Sequence, residues 1–325
     1  MQFLRVALTP LALSLVAGSA AMAKDCEQIC FGSLPCQVTE ISDDYKIDAD
    51  LCAGDLLLQN GARLIVTGDS DRMISVEGIL KVNGKSQIVA QSSLSAPVKV
   101  SKPATAPAGA SYPRGPETDG PGDANAGANG GGGQPGADGA DGENGLQAPH
   151  LILRLGKYAG GELKVVGIGG QGQDGQDGGD GGRGGDGQQG GRAIPGQPFG
   201  CRSGPGDGGN GGKGGDAGRG GRGGDGGDGA VVAVEVARGE LVNIEPLVTK
   251  QIILIDVREG KHGTGGKAGS PGSGGLFGYG GRGATGCEGR VEERKGISGP
   301  DGTAARDGKN GQDGKPGKFA VVERN

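Results

Sequence analysis

Tryptophan is absent, aromatic residues make up 3% of the chain, and only two histidines occur in 325 residues. Conventional cores rely on aromatic and branched apolar side chains, so an oily core in proportion to this length is excluded. Basic and acidic side chains number 33 and 38 and are intermixed, and no basic stripe marks a nucleic-acid surface. Beyond the first residues, no apolar stretch approaches the ~20 residues needed to span a bilayer. His150 follows Pro149 at a strand entrance and His262 lies in a glycine tract; neither belongs to HExxH or to a nucleophile motif. The chain therefore reads as non-enzymatic, without cofactor or metal. Catalysis by carboxylates alone stays as an alternative because Asp is plentiful, although glycine tracts are poor supports for a preorganised site.

Glycine is what the chain has instead, 77 residues of it. Gly169, Gly172, Gly175, Gly178, Gly181, Gly184, Gly187 and Gly190 share one three-residue frame, which Gly208, Gly211, Gly214, Gly220, Gly223, Gly226 and Gly229 resume. A period of three fits neither an amphipathic helix nor an ordinary strand. It matches the left-handed polyproline II helix, which has three residues per turn and no internal hydrogen bonds. The middle position is often Gly too, as in GGDGGRGGDG from Gly178. Two lengthwise edges are then bare backbone, close enough to neighbours to exchange N–H···O=C bonds, and the third carries Asp, Arg, Lys, Asn or Gln for water. A glycine-II bundle folded from one chain is expected, with Pro195–Pro198 as a reversal between antiparallel rods.

Residues 1–23 read as a signal peptide, with Arg5, an apolar stretch from Leu11 to Ala17, and a cleavage site at Ala21-Met22-Ala23. The protein is expected to be secreted, periplasmic or at the cell surface, and six cysteines in an exported chain suggest disulfides. Cys26, Cys30, Cys36 and Cys52 are expected to form two local bridges of undetermined pairing, and Cys201 to pair with Cys287. No CxxC and no histidine pair favours zinc instead.

Residues 24–99 read as a Cys-rich β module. Leu57, Asn60, Gly61, Ile65 and Val66 recur 23 residues later as Leu80, Asn83, Gly84, Ile88 and Val89. Asn-Gly between apolar runs signals a turn, and a repeat of this length suits stacked β-helix coils, with a small β-sandwich as the alternative. Residues 100–124 read as a Pro/Ala/Ser linker. Residues 125–325 form the glycine-repeat domain, in which glycine tracts feed apolar strands at 151–155, 231–236 and 319–322. The fold class is thus mainly β and polyglycine II, with essentially no α-helix.

Over residues 127–319 the chain resembles bacterial secreted collagen-like Gly-X-Y proteins, especially those alternating GGX tracts with short Val/Ile strands. The packing this implies is similar to polyglycine-II bundles of an insect-like antifreeze protein and of phage tail-fibre adhesins. The tracts 169–192 and 208–229 depart from collagen in lacking proline. The resemblance implies a structural or adhesive role at the cell surface or in a matrix. Alternatives are a trimeric collagen-like stalk and an ice- or carbohydrate-binding protein; the charged third edge argues against ice, with 260–275 as the only small-residue face. Leu276, Phe277 and Tyr279 are expected to form an exposed binding loop or to cap the bundle.

Three motif matches are set aside. Gly167–Gly172 satisfies GxGxxG but no helix follows to hold a phosphate. Gly84-Lys85-Ser86 lacks the earlier glycine of a P-loop, where Ile79 stands. Gly223–Ala230 nearly fits the calcium nonapeptide but lacks its apolar position.

Overall fold

The structure, a computed structural model, describes residues 39–68, 70–91, 101–112, 124–287 and 294–324. The signal-peptide segment and Cys26, Cys30 and Cys36 lie outside these residues. The described part is mainly β, with a large parallel sheet and a single helix. Its strands are β1 (Thr39–Ile41), β2 (Asp44–Ile47), β3 (Leu51–Ala53), β4 (Leu56–Leu58), β5 (Arg63–Thr67), β6 (Arg72–Gln91), β7 (Leu151–Val166), β8 (Ile194–Pro195), β9 (Cys201–Ser203), β10 (Val231–Val236), β11 (Ile253–Asp256) and β12 (Lys318–Glu323). The helix α1 (Leu241–Thr249) lies between β10 and β11.

β6 and β7 pair in parallel through two register shifts, called corners below, between Val76/Ile79 and Val82/Lys85. The corners divide β6 into three segments, which pair in turn with β3, β4 and β5. On the far side, the first segment of β7 pairs with β10 and the last with β11, and β10 pairs with β12. Alternation within each segment puts Leu56, Leu58, Leu64, Val66, Ile74, Val76, Leu80, Val82 and Ile88 inside, together with Leu151, Leu153, Leu155, Leu163, Val165, Val232 and Val234. Each such side chain contributes about 1.5–3 kcal/mol by leaving water. One core therefore joins the N-terminal strands to strands of the glycine-repeat region, where the sequence reading had two separate units. The 23-residue repeat also needs correction. Leu51 pairs with Ile74 at that offset, but Leu56 pairs with Leu80 and Leu64 with Ile88, one residue further. β6 carries an extra residue at its first corner. The Asn-Gly turns are present, with Gly61 and Gly84 at φ of 86° and 76° and the Asn60 Oδ1 accepting from the Lys85 N–H.

Between the strands run six extended segments that are neither helix nor strand: run 1 (101–112), run 2 (124–149), run 3 (167–193), run 4 (204–230), run 5 (257–283) and run 6 (294–317). They are tied by backbone bonds that recur every third residue. Run 3 donates to run 2 from Gly170→Leu146 through Gly191→Asn125, antiparallel, and run 4 donates to run 3 from Gly206→Gly191 through Ala230→Gly167, also antiparallel. Run 3 also donates to run 5 from Gly169→Arg258 through Ala193→Arg282, in parallel, and run 2 to run 4 from Gly127→Asp207 through Ala148→Asp228, in parallel. Run 4 donates in parallel to run 6, run 5 antiparallel to run 4, and run 6 antiparallel to run 5. Runs 1, 3 and 5 thus form one layer and runs 2, 4 and 6 the other. The strands continue this register: Gly145 bonds to Asp225 and, beyond it, Leu151 stands opposite Val232.

Sterics explain why glycine doubles only in the middle. Runs 3 and 4 each have neighbours on four sides. A Cβ on Gly181 would lie 2.2 Å from the Gly215 oxygen, and one on the adjacent Gly182 would lie 1.9 Å from the Pro107 oxygen. Runs 2 and 6 have fewer neighbours and one obligatory glycine per triplet; a Cβ on Gly308 would lie 1.8 Å from the Gly221 oxygen. Residues 101–112, read from sequence as linker, are run 1, bonded to run 3 through Ala106→Asp180 and Gly109→Arg183. Three triplets of run 3 carry Gln in place of the second glycine. The Gln173, Gln176 and Gln188 side chains accept from the Glu143, Ala140 and Ala128 N–H groups, as the Pro107 and Ala110 carbonyls do from Gln134 and Gly131. One rung is missing among the described residues. Gly302 and Gly308 bond to Gly272 and Gly266, but Ala305 makes no bond to Gly269. Ala217 stands at that level, between Gly214 and Gly220, whose added Cβ atoms would meet the Gly272 and Gly266 oxygens.

Gly181→Ala is therefore expected to destabilise the protein by about 3 kcal/mol or more, because backbone cannot retreat as a side chain can. Arg183→Gln, on an exposed edge, is expected to stay within about 0.5 kcal/mol. Thermal unfolding of both variants is the measurement, and equal effects would contradict the packing.

Candidate functional surface at the far end of the runs

The strands close one end of the runs. At the other end lie residues 112, 124, 193, 206, 281 and 294, brought together by Tyr112→Asp186, Ala124→Arg192, Ala193→Arg282, Gly206→Gly191, Gly281→Gly206 and Gly208→Arg294. The reversal between runs 3 and 4 is here, an antiparallel β8–β9 hairpin containing the Gln197–Pro198 cis bond. Cys201 on β9 is joined to Cys287 after run 5, with Cα atoms 4.7 Å apart. Cys52, on β3, is also disulfide-bonded.

This end also gathers four aromatic residues, Tyr112, Phe277 and Tyr279 of the runs and Phe199 of the hairpin. Phe199, at the hairpin tip, is 92% exposed, the most exposed of the large apolar side chains. Phe277 and Tyr279 are half-buried and meet edge-to-face at 5.4 Å, and the Lys295 ammonium lies 5.1 Å from the Phe277 ring centre. Leu276 and Ile297 are exposed nearby, on opposite layers. Leu276, Phe277 and Tyr279 are not in a loop, as the sequence suggested. They belong to run 5, where the Leu276 and Tyr279 carbonyls accept from Gly187 and Gly190. One Phe in a Pro-Gly turn carries no periodic signal in the sequence.

The acidic third edge does more than face water. Asp174, Asp177, Asp180 and Asp186 on run 3 accept from the Thr264, Lys267, Ser270 and Leu276 N–H groups of run 5 at 2.7–2.8 Å. Asn210, Asp216, Asp225 and Asp228 do the same for run 6, and Asp301, Asp307, Asn310 and Asp313 for the outer edge of run 5. Asp225 and Asp228, the acids of the calcium-like segment, are thus acceptors for Gln312 and Lys315. Among the described residues no group of three His, Cys, Asp or Glu is placed to hold a metal. Both histidines serve the framework: the His150 Nδ1 accepts from the Val231 N–H at 2.9 Å, and the His262 Nδ1 lies 2.6 Å from the Asp313 Oδ1.

Hydrogen bonds lower the pKa of four of these carboxylates, Asp180, Asp216, Asp225 and Asp313. The Lys213 ammonium, then the Thr303 N–H, lowers Asp216 to about 2. The Gln312 N–H lowers Asp225, Lys102 lowers Asp180, and Lys261 with the His262 N–H lowers Asp313. A carboxylate depressed in the folded state leaves the unfolded chain binding more protons, so stability is full above the unfolded value near 4 and falls as pH drops through the folded one. The melting temperature is expected to be level from pH 5 to 8 and to fall between about pH 4 and pH 2. Asp216→Asn keeps the acceptor for Thr303 and is expected to flatten part of that decline; an unchanged profile would assign the acid sensitivity elsewhere.

No protein-family model, no curated protein and no solved structure matches the chain. No helix among the described residues is long and apolar enough to cross a membrane.

Breaking the bridge at the far end is expected to be costly. Its partners are 86 residues apart, and closing a loop of that length restricts the unfolded chain by about 4–5 kcal/mol in the entropy model. Cys201→Ser/Cys287→Ser is expected to lose a comparable amount in denaturant melts, and peptide mapping without reductant to recover the Cys201–Cys287 pair.

Proposed function

We propose that this is an exported, non-enzymatic structural or adhesive protein whose far end makes the contact and whose runs act as a rigid spacer. In this reading the runs are polyglycine II helices packed as a single-chain bundle on a β-helix-like base. The three-residue recurrence of inter-run bonds supports it, since polyproline II geometry repeats every three residues and leaves its backbone groups for neighbours. That ladder lies within one chain, which favours a bundle over a trimeric collagen-like stalk. At ~3.1 Å per residue, the longer runs carry the far end roughly 75–80 Å from the strands.

The observation that carries the adhesive reading is Phe199, held almost fully in water at the tip of a disulfide-anchored hairpin. Single exposed apolar side chains are common on protein surfaces; what supports a contact role for this one is its presentation on a stapled hairpin, at low entropic cost on binding. Cell-surface location and a matrix or surface partner belong to the same proposal.

The test uses the mature protein in a surface-attachment assay, on the producing cells and on immobilised matrix. Phe199→Ser is expected to lower attachment several-fold with the melting temperature unchanged. Phe277→Ala is expected to lower the melting temperature, because its ring packs between Tyr279 and Lys295. Attachment that survives Phe199→Ser and Leu276→Ser together would reject the far end as the contact surface.

A further inference from the structure

Run 6 and β12 carry a line of cations on the outer face of their layer. Run 4 donates to the carbonyls of Arg294, Ile297, Pro300, Thr303, Arg306, Lys309, Gln312 and Lys315, every third residue, and Lys318 continues the series at the start of β12. That column contains no acid. Arg306, Lys309, Lys315 and Lys318 are exposed, and none has an ion-pair partner among the described residues. Several other cations of the runs are paired. Lys102, Arg183, Lys213, Arg222, Arg258 and Lys261 each lie within 2.6–2.9 Å of a carboxylate.

The neighbouring column on run 4 extends the line sideways. Gly220 bonds to the Arg306 carbonyl and Gly223 to that of Lys309, so Arg219 and Arg222 lie level with Arg306 and Lys309 on the adjacent run. Arg219 is exposed and unpaired among the described residues. Two of the acids that share this face are ion-paired, Asp216 with Lys213 and Asp225 with Arg222. Asp216, Asp225 and Asp228 accept from the Thr303, Gln312 and Lys315 N–H groups, and Asp138 and Asp141 on run 2 accept from those of Arg219 and Arg222. A backbone N–H does not cancel a carboxylate's charge, so Asp138, Asp141 and Asp228 stay negative; against them stand the five unpaired cations Arg219, Arg306, Lys309, Lys315 and Lys318, which leaves a positive excess on this face.

We propose that this column binds an extended polyanion, specifically an anionic polysaccharide, laid along run 6. Arg306 and Lys309, and then Lys315 and Lys318, stand about 9 Å apart with the neutral Gln312 between the two pairs, and the four charges span roughly 37 Å at the polyproline II rise. A linear chain with regularly repeated acid groups meets such a column along its whole length; a compact anion meets one or two side chains. No aromatic residue stands between Arg306 and Lys318, so stacked bases have no platform there, and a saccharide backbone needs none. The column lies along the side of one layer, away from Phe199, and the inference does not depend on the far end being adhesive. It does rest on the three-fold geometry of run 6.

The experiment measures binding of the mature, full-length protein to immobilised dextran sulfate at low salt, with neutral dextran and poly(dT) in parallel. The wild type is expected to bind dextran sulfate, to ignore neutral dextran, and to release as salt rises. Arg306→Gln/Lys309→Gln/Lys315→Gln is expected to lose about tenfold or more in affinity. Arg183→Gln/Lys267→Gln, on the opposite layer, is expected to bind as the wild type does. Circular dichroism of both variants checks the fold. No binding by the wild type, equal binding by the triple variant, or binding of poly(dT) as tight as that of dextran sulfate would each overturn the proposal.

Discussion

The bond from one backbone N–H to the carbonyl of a neighbouring run, repeated every third residue, is what the rest of the molecule depends on. An extended run has no internal hydrogen bonds, so its polar backbone must be satisfied from outside. The central runs find partners in other runs, and the acceptors are so close that a Cβ cannot stand between them. The glycine content follows from this. Gly181 and Gly182 face different neighbours and both must lack a side chain. Gln173, at a second position of its triplet, offers its amide carbonyl to the Glu143 N–H. The entropic cost of ordering glycine is offset by a dense hydrogen-bond network and by the apolar core at one end.

That core and the runs support one another through register. Strands β7, β10 and β12 are spaced along the sequence as runs 2, 4 and 6 are, so alignment of the runs also aligns the strands. The buried Leu and Val side chains then hold the runs in step at one end, and the Cys201–Cys287 bridge holds them at the other. The outer edge of run 5 ends in the carboxylates of Asp301, Asp307 and Asp313 and the amide of Asn310, which occupy N–H groups that another run would otherwise claim. Exposed rows of unpaired backbone groups invite association, and these side chains close one such row.

Much of the architecture was legible in the residue pattern. The three-residue frame, the antiparallel reversal near Pro195–Pro198 and the pairing of Cys201 with Cys287 follow from glycine spacing and from where cysteines interrupt it. Other features were hidden for physical reasons. Run 1 contains a single glycine, since it lies at a layer edge and needs little close approach; Ala, Pro and Ser there resemble a linker. α1 contains β-branched residues and Pro246, which depress helix propensity, and only Ile244 is buried. It is held by its place between β10 and β11, which a local pattern does not reveal. The corner of β6 took an extra residue, which moved the β repeat by one.

Sequence alone determined that the backbone repeats every three residues, that two edges of the central tracts are bare, and that no large aromatic core exists, because each is a property of side chains or of their absence. Only the tertiary structure decided which edges face which neighbours. It turned the Asp columns from a solvated edge into backbone acceptors, placed Phe199 alone at the tip, and set Arg306, Lys309, Lys315 and Lys318 in one unpaired line. Those outcomes depend on contacts between residues some 80–90 positions apart. A period of three says that such contacts are needed, but the order and direction of the runs, set by the strands and the disulfide, determine where they fall.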